Sequence, residues 1–515
     1  MISSEVFNMD LFGRKKIFIG TSKEDLSAKE IGSILSKVLP IHQVNASTIS
    51  YLRSIEKGNQ EVFQKTKDVR PEINNQIVEN HINHAVSFKK GYVFGYPSQY
   101  VQMTNDKEDL PPSQPNNETQ GFDKTISQDL GVLNSFMRIN DKASKDIELS
   151  DDLYTVGVGA RYFVPTKDGF EFYNLNPTNA FVVYSNGYRK QPLFSVYMVV
   201  KTNFEDDTQI MEMQVTTRKN VFKYELPYIS YLGQADEVIA PIYIPPLEPK
   251  DEINALGFIP IIEYELNKDR ISITERMLSV QNALNQLSSS EVDDVEQFVQ
   301  AMMVFMNAEI DEKTLKLAKQ MGAVNVKSQG TQKGDVKLLT SKLDHSGVKT
   351  LYDRLYQTML TNVGVPLVNV SGGSGGDTGL ARLTDNGWLM ADTKAREDEL
   401  SFVLSEKPML EMAIEWLKRK NKISKLGIEN IETKFTRHKS DNLLVKVQAL
   451  QSMVGVVHPM DAFAIADLFS DSDEAVAKAR DFYGDNFFHK ESKDKIQEPT
   501  TKIEEKVDEE VVEEE

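Results

Sequence analysis

Two segments of this chain repeat an apolar residue at intervals of three or four residues. The first contains Ile273, Met277, Val280, Leu284 and Leu287, and the second contains Val348, Leu351, Leu355 and Met359. This spacing is typical of helices that carry one narrow apolar seam, as in a coiled coil. Neither helix can bury its seam alone, so the pattern predicts that the two helices pack against each other and against neighbouring copies of the chain.

A small α/β unit is predicted between the two seams. The pattern indicates a strand at 301–306, a helix at 312–321, and short strands at 324–326 and 336–339 around a glycine turn. A unit of this kind inserted between two helices is an unusual shape for an enzyme core.

The remaining segments predict an α+β fold. On the N-terminal side, the patterns favour a helix at 27–39 with Ser27 as its N-cap, helices at 47–57, 75–88 and 126–153, and a mostly antiparallel sheet between 156 and 244. On the C-terminal side they favour a glycine-rich loop at 371–379, a long helix at 380–420, and helices at 443–454 and 459–483. The stretch 106–125 is rich in Pro, Asn and Gln, which indicates a surface insertion.

Charge and composition limit the possible functions. The chain has no cysteine, which excludes disulfides, thiol catalysis and thiolate metal sites. No apolar run is long enough for a membrane span, so no membrane partner is expected. The net charge is −18, and the last 25 residues, with 11 acids and 4 lysines, are expected to be largely disordered. The charge fits ordinary solubility, and it also fits a surface that DNA must pass without adhering.

The sequence contains no motif that predicts catalysis or a cofactor. The glycine-rich loop lacks the Gly-Lys-Ser/Thr ending of a phosphate-binding loop. His81 and His84 have a spacing that fits one helix face, but no further ligand completes a metal site. Asp471, Asp473 and Glu474 lack the glycine and the distal glutamate of a calcium loop. We therefore expect no enzyme activity, no cofactor and no metal.

Four segments, taken in order, resemble the portal proteins of tailed double-stranded-DNA phages, of the type found in long-tailed phages of Gram-positive bacteria. They are 73–80 leading to 91–97, Asn176-Pro177 entering the strand 180–184, 257–264 entering a helix with Asn282, Asn285 and 288–290, and 434–437 followed by helices around 455–458. The insertion 106–125 and the acidic tail have no obvious counterpart in the family.

The resemblance implies a ring subunit with a wing, a helical stem, a small α/β clip and a helical crown. It implies the following regions: wing 1–264 with the insertion 106–125, stem helix 265–294, clip 295–340, stem helix 341–364, tunnel loop 365–379, long helix and rest of the wing 380–436, crown 437–490, and acidic tail 491–515. The tunnel loop would face DNA through Ser371, Gly372, Gly373, Ser374, Gly375, Gly376, Asp377 and Thr378.

The partners that the resemblance implies are those of a head vertex. They are other copies in a ring of about twelve, double-stranded DNA in the channel, the terminase motor, scaffolding and major capsid proteins, and a head-completion adaptor protein. The expected location is the portal vertex of the virion, after assembly in the host cytoplasm. The alternative is another structural capsid or virion assembly protein without a DNA channel.

Overall fold

The computed structural model has the predicted α+β character and describes most of the chain. The described residues are 12–21, 23, 25–68, 70–103, 124–202, 207–227, 252–299, 302–306, 335–339, 345–367, 387–437, 443–453, 459–466, 468, 475–476 and 478–479. The chain divides into two compact units, one formed by Met1–Met103 with Asp123–Arg437 and the other by Thr104–Phe122 with His438–Glu515.

Of the α-helices in the described residues, seven belong to the larger unit and two to the smaller one. In chain order they are α1 Ala28–Glu56, α2 His81–Phe94, α3 Lys124–Ile139, α4 Lys142–Val156, α5 Ile273–Val299, α6 His345–Val363, α7 Trp388–Arg419, α8 Leu443–Met453 and α9 Pro459–Ala466. The last two pack against each other in the smaller unit.

The strands are concentrated between α4 and α5. They are β1 Ile17–Ile19, β2 Gln99–Gln102, β3 Val158–Pro165, β4 Phe170–Leu175, β5 Ala180–Ser185, β6 Pro192–Thr202, β7 Gln209–Thr217, β8 Asn220–Pro227, β9 Glu252–Ile253, β10 Ile261–Glu265, β11 Met302–Met306, β12 Asp335–Leu339 and β13 Ile431–Lys434.

The predicted sheet is mostly antiparallel, but it is divided into two separate sheets. A six-stranded sheet has the order β1-β5-β6-β7-β8-β9, in which only the β1–β5 pair is parallel, and a three-stranded sheet has the order β10-β3-β4. Alternate residues of β6 and β7, such as Val196 and Val215, are paired in register and buried. This period of two buries one face of the sheet. Two further pairs, β2–β13 and β11–β12, are antiparallel.

Helix α1 packs into three hydrophobic cores, and Ile55 near its end belongs to the largest of them. Leu35 in its first half packs on the six-stranded sheet, and Leu52 in its second half packs near the start of β3. The predicted Ser27 N-cap is present, because its hydroxyl accepts a hydrogen bond from the Glu30 N–H. The prediction of separate helices at 27–39 and 47–57 is wrong. One helix continues through Pro40, since burial on both sides of the proline outweighs its missing hydrogen bond.

Two other helix predictions need correction. The segment 75–80 is extended, and α2 begins only at His81 and continues through Gly91 to Phe94. The stretch 126–153 forms two helices, α3 and α4, because Asp141 between them adopts a left-handed backbone conformation with φ of 52°.

The largest core lies where α2, α4, α5, α6 and α7 meet the three-stranded sheet. Its buried members include Val86, Leu153, Met277, Met359 and Phe402. The helices predicted at 312–321 and 459–483 lie wholly or partly outside the described residues. The insertion 106–125, the residues 371–379 and the tail 491–515 also lie outside this part of the chain, apart from Lys124 and Thr125.

Candidate functional site

Helices α5 and α6 are the two helices in which the sequence places its apolar seams, and they pack against each other. On α5, Ile273, Met277 and Leu284 are buried, and Val280 and Leu287 are half-buried. On α6, Met359 is buried, Leu355 and Val348 are half-buried, and Leu351 is exposed. The burial on α6 therefore decreases from the end nearest the core toward the end nearest β12.

The structure brings part of the predicted seam into the central core. The members that belong to it or pack against it are Ile273, Met277, Val280, Leu284, Leu355 and Met359. The predicted tunnel-loop residues, Ser371, Gly372, Gly373, Ser374, Gly375, Gly376, Asp377 and Thr378, lie outside the described residues.

An extended segment, 73–80, lies against the polar side of α5. The backbone N–H groups of Asn75, Ile77 and Glu79 donate hydrogen bonds to side chains of α5. The acceptors are Asp293 Oδ1 at 2.7 Å, Ser289 Oγ at 2.9 Å and Asn285 Oδ1 at 3.0 Å, respectively.

The spacing between the donor residues of the segment matches the spacing between the acceptor residues of α5. Two residues of extended chain advance about 6.7 Å, and four residues of an α-helix advance about 6 Å. Alternate N–H groups of the segment therefore meet every fourth residue of α5, with the two chains running in opposite directions. We call this arrangement the backbone clasp. The clasp satisfies backbone donors that would otherwise be unpaired beside a buried helix face.

Asp293 is the acceptor of the backbone clasp that carries a charge. Its side chain is almost fully buried and pairs with Lys67 and with Lys65, whose Nζ lies 2.9 Å away. Burial opposes its ionisation, but the hydrogen bonds from Lys67, Asn75 and Lys65 outweigh burial and hold the pKa of Asp293 well below its usual range. The aspartate is therefore ionised at neutral pH and joins α5 to the segment that follows α1.

At the other end of the backbone clasp, Glu79 joins α5 to α6. Its carboxylate accepts hydrogen bonds from the hydroxyls of Ser288 on α5 and Tyr352 on α6. Burial opposes the charge, but these hydrogen bonds lower the pKa of Glu79. His81 Nε2 lies 2.9 Å from the Tyr352 hydroxyl, and burial lowers the pKa of this histidine. Both seam helices are thus fixed to the same segment.

A buried ionic cluster fixes α7. Arg161 on β3 lies 2.9 Å from Asp146 on α4 and 3.6 Å from Glu406 on α7. Lys142 lies 3.5 Å from the other oxygen of Glu406, and the hydroxyls of Tyr100 and Tyr264 donate to the same carboxylate. Burial and the nearby carboxylates raise the pKa of both tyrosines well above their usual range, so both remain protonated donors.

A second carboxylate site lies nearer the start of α7. Arg437 pairs with Asp392 at 3.0 Å and with Glu399 at 3.2 Å. Burial raises the pKa of Glu399 to about 7, because Arg437 only partly compensates for burial and Asp392 adds repulsion. Glu399 therefore titrates in the neutral range.

Within the residues that the structure describes, no group of three or more His, Cys, Asp or Glu side chains is placed to hold a metal ion. No helix in these parts of the chain is long and apolar enough to span a bilayer.

These elements define the class of protein as an α+β fold in which two seam helices, fixed by a polar clasp, precede and follow a small strand pair in the chain. Residues 35–482 match the profile of the family described as phage portal protein, SPP1 Gp6-like. The match covers most of the chain, so the chain belongs to this family of phage portal proteins, which are structural components of the virion capsid and not an enzyme family. A comparison with curated proteins finds no match.

Proposed function

We propose that the chain assembles into a closed ring of about twelve copies at one vertex of the capsid, and that double-stranded DNA enters and leaves through the ring. The observation that carries this proposal is the match of residues 35–482 to the portal family. The regions implied by the resemblance give its architecture: a wing, two stem helices, a clip, a tunnel loop and a crown.

The exposed apolar residues of the seam helices support assembly. Toward the end of α5, the exposed fractions of Val292 and Val295 are 41% and 53%, and Leu351 on α6 is 36% exposed. None of the three belongs to the central core. Exposed apolar side chains on rigid, paired helices favour contact with neighbouring copies.

The charge of the chain supports passage of DNA over adhesion to it. Proteins that hold DNA neutralise its phosphates with lysine and arginine, whereas this chain carries a net charge of −18. With about twelve copies, the assembly would carry on the order of two hundred negative charges. A negatively charged channel wall repels the duplex and limits the adhesion that would stop the movement of the DNA.

The proposed partners follow from this role. Scaffolding and major capsid proteins would surround the ring during assembly, and a head-completion adaptor protein would bind it afterwards. Translocation needs a separate energy source, because the chain lacks the lysine and the Mg²⁺-binding Ser/Thr of a phosphate-binding loop. We place the docking site of the terminase motor at the clip, 295–340, and assign no catalytic role to this chain.

The mass of the purified protein tests the ring. We expect a species of about twelve subunits by mass photometry, and rings with a slightly different subunit count would still agree. A single species at the chain mass of 58.3 kDa, at all protein and salt concentrations, would contradict the proposal.

The glycine-rich loop is proposed to contact the DNA. Alanine in place of Gly372, Gly373, Gly375 and Gly376 reduces the backbone freedom of the loop. We expect such a variant to form rings of normal mass but to package or retain less DNA, as measured by nuclease-protected DNA per particle. Normal packaging by the variant would indicate a passive connector.

A further inference from the structure

Helix α7 has leucines on the face that is turned away from its own core. The exposed fractions of Leu389, Leu400 and Leu404 are 68%, 72% and 69%. Their separations of eleven and four residues are close to whole turns of a helix, so the three side chains lie along one face. We call this face the leucine stripe.

The leucine stripe is not part of the core of the same subunit. The opposite face of α7 supplies Ala395, Phe402 and Met409 to the central core, and each of these is almost fully buried. A surface helix normally has one apolar face and one polar face. Between residues 388 and 404, α7 has apolar residues on both, which is typical of a helix that is covered on both sides in its assembled state.

The leucines are confined to the first half of α7, where Thr393 and Arg396 lie between Leu389 and Leu400 on the same face. Further along the same face the positions are occupied by Lys407, Glu411 and Lys418. The second half of the face is therefore an ordinary solvated surface. The surface that covers the leucine stripe must lie toward the start of the helix, which is the end that follows the predicted tunnel loop.

We propose that the leucine stripe is a contact surface for a second copy of this chain, the neighbouring subunit of the ring. This inference rests on the proposed ring. In a closed ring, any element that leads outward from the channel wall has a neighbouring copy on each flank. Helix α7 starts nine residues after the proposed tunnel loop, its inner face is occupied by its own subunit, and its free face carries exposed leucines only at this end.

The absence of native cysteine allows a direct test by thiol labelling. A Leu400→Cys variant carries one thiol in the leucine stripe, and a Glu411→Cys variant carries one on the charged part of the same face. We expect maleimide to label Cys at position 400 about tenfold more slowly in rings than in dissociated subunits, as expected when an interface excludes solvent. At position 411 the two rates should be similar.

The other possible results of the labelling experiment also decide whether the inference holds. Equally fast labelling at position 400 in rings and subunits would overturn the inference and leave the ring proposal intact. Slow labelling in both states would also overturn it, because a segment of the same chain would then cover the stripe. Failure of the unmodified protein to form rings would contradict the proposed function and this inference with it.

A charge substitution tests the same surface without labelling. In the double variant Leu400→Glu with Leu404→Glu, ring contact would bury two carboxylates without partners. We expect the subunit concentration needed for assembly to rise on the order of a hundredfold or more. The circular dichroism of the subunit should not change, because both leucines are exposed. Assembly as efficient as that of the Glu411→Lys control would overturn the inference.

Discussion

Glu406 shows how a single buried carboxylate holds three parts of the chain together. It is fully buried, and Arg161, Lys142 and two tyrosine hydroxyls surround it. Among the described residues, removal of the carboxylate leaves the buried guanidinium of Arg161 with Asp146 as its one charged partner. Loss of one member of a buried ionic cluster is costly because the remaining charge has already lost its hydration.

We therefore predict that Glu406→Ala lowers the free energy of unfolding by about 3–5 kcal/mol. Glu411→Ala is the matched control, since Glu411 lies on the exposed face of the same helix and should change stability by less than about 0.5 kcal/mol. Chemical denaturation at a fixed protein concentration measures both variants. Equal stability of the two variants would show that the cluster contributes nothing.

Glu399 gives the structure a dependence on pH. Its pKa is raised to about 7 from an ordinary value of 4.5, so the folded state favours the protonated form. A raised carboxyl pKa means that folding binds protons, and the stability contributed by this group falls as the pH rises from 4.5 through 7.

We predict that Glu399→Gln stabilises the protein at pH 8 by about 1–3 kcal/mol and by less at pH 5. The amide keeps an acceptor for Arg437 and carries no charge to desolvate. Glu397→Gln on the exposed side of the helix measures the general effect of removing one negative charge. A gain in melting temperature that is the same at both pH values would contradict this assignment.

At the scale of elements, the backbone clasp accounts for the position of the seam helices. Ser289 lies at its centre, where its hydroxyl accepts the Ile77 N–H and donates to the Asn285 carbonyl. Without that hydroxyl, the N–H of the half-buried Ile77 has no partner in the clasp. An unsatisfied buried donor costs about 1–3 kcal/mol.

We predict that Ser289→Ala lowers stability by about 1–3 kcal/mol and speeds hydrogen exchange across 75–79. The neighbouring Ser290 is exposed, so Ser290→Ala is a closely matched control that should leave exchange unchanged. Hydrogen exchange read by mass spectrometry distinguishes the two. If exchange in both variants matches that of the unmodified protein, the clasp does not hold the segment.

The sequence pattern predicts the two seam helices correctly but not the segment that lies against them, and the difference has a physical reason. The spacing of three or four residues in the seams reports burial on one helix face, so α5 and α6 were predictable. The segment 75–80 was assigned to a helix because its apolar spacing is compatible with one, but the side chains of a distant helix supply its backbone partners. Asn285, Ser289 and Asp293, which are polar residues at intervals of four along one face of α5, are the signal that could have revealed the clasp.

The candidate site was less predictable than the fold. The sequence around Glu406 and Glu411 does not show that the first is buried and the second exposed. The difference arises from the packing of Arg161, which is distant in the sequence, against Glu406. Arg161 itself was recognisable only as part of a strand, although a charged residue on the inward face of a strand requires a buried partner.

At the scale of the whole molecule, two of the apolar groups that a single copy leaves exposed lie on the helices α5, α6 and α7. One is the leucine stripe on α7, and the other lies on the seam helices at Val292, Val295 and Leu351. A ring built from one kind of subunit needs two different surfaces on each copy, because the contact between neighbours is head to tail. Family membership and the surface of the subunit thus favour the same kind of assembly.

Electron microscopy of the purified full-length protein tests this central claim most directly. We predict that averaged end-on views show a closed ring with rotational symmetry and a central hole wide enough for a DNA duplex. Because a head-to-tail contact closes only at a fixed angle, the subunit count should be uniform or nearly so. Single subunits, open filaments or closed particles without an axial hole, under all conditions of salt and protein concentration, would contradict the account.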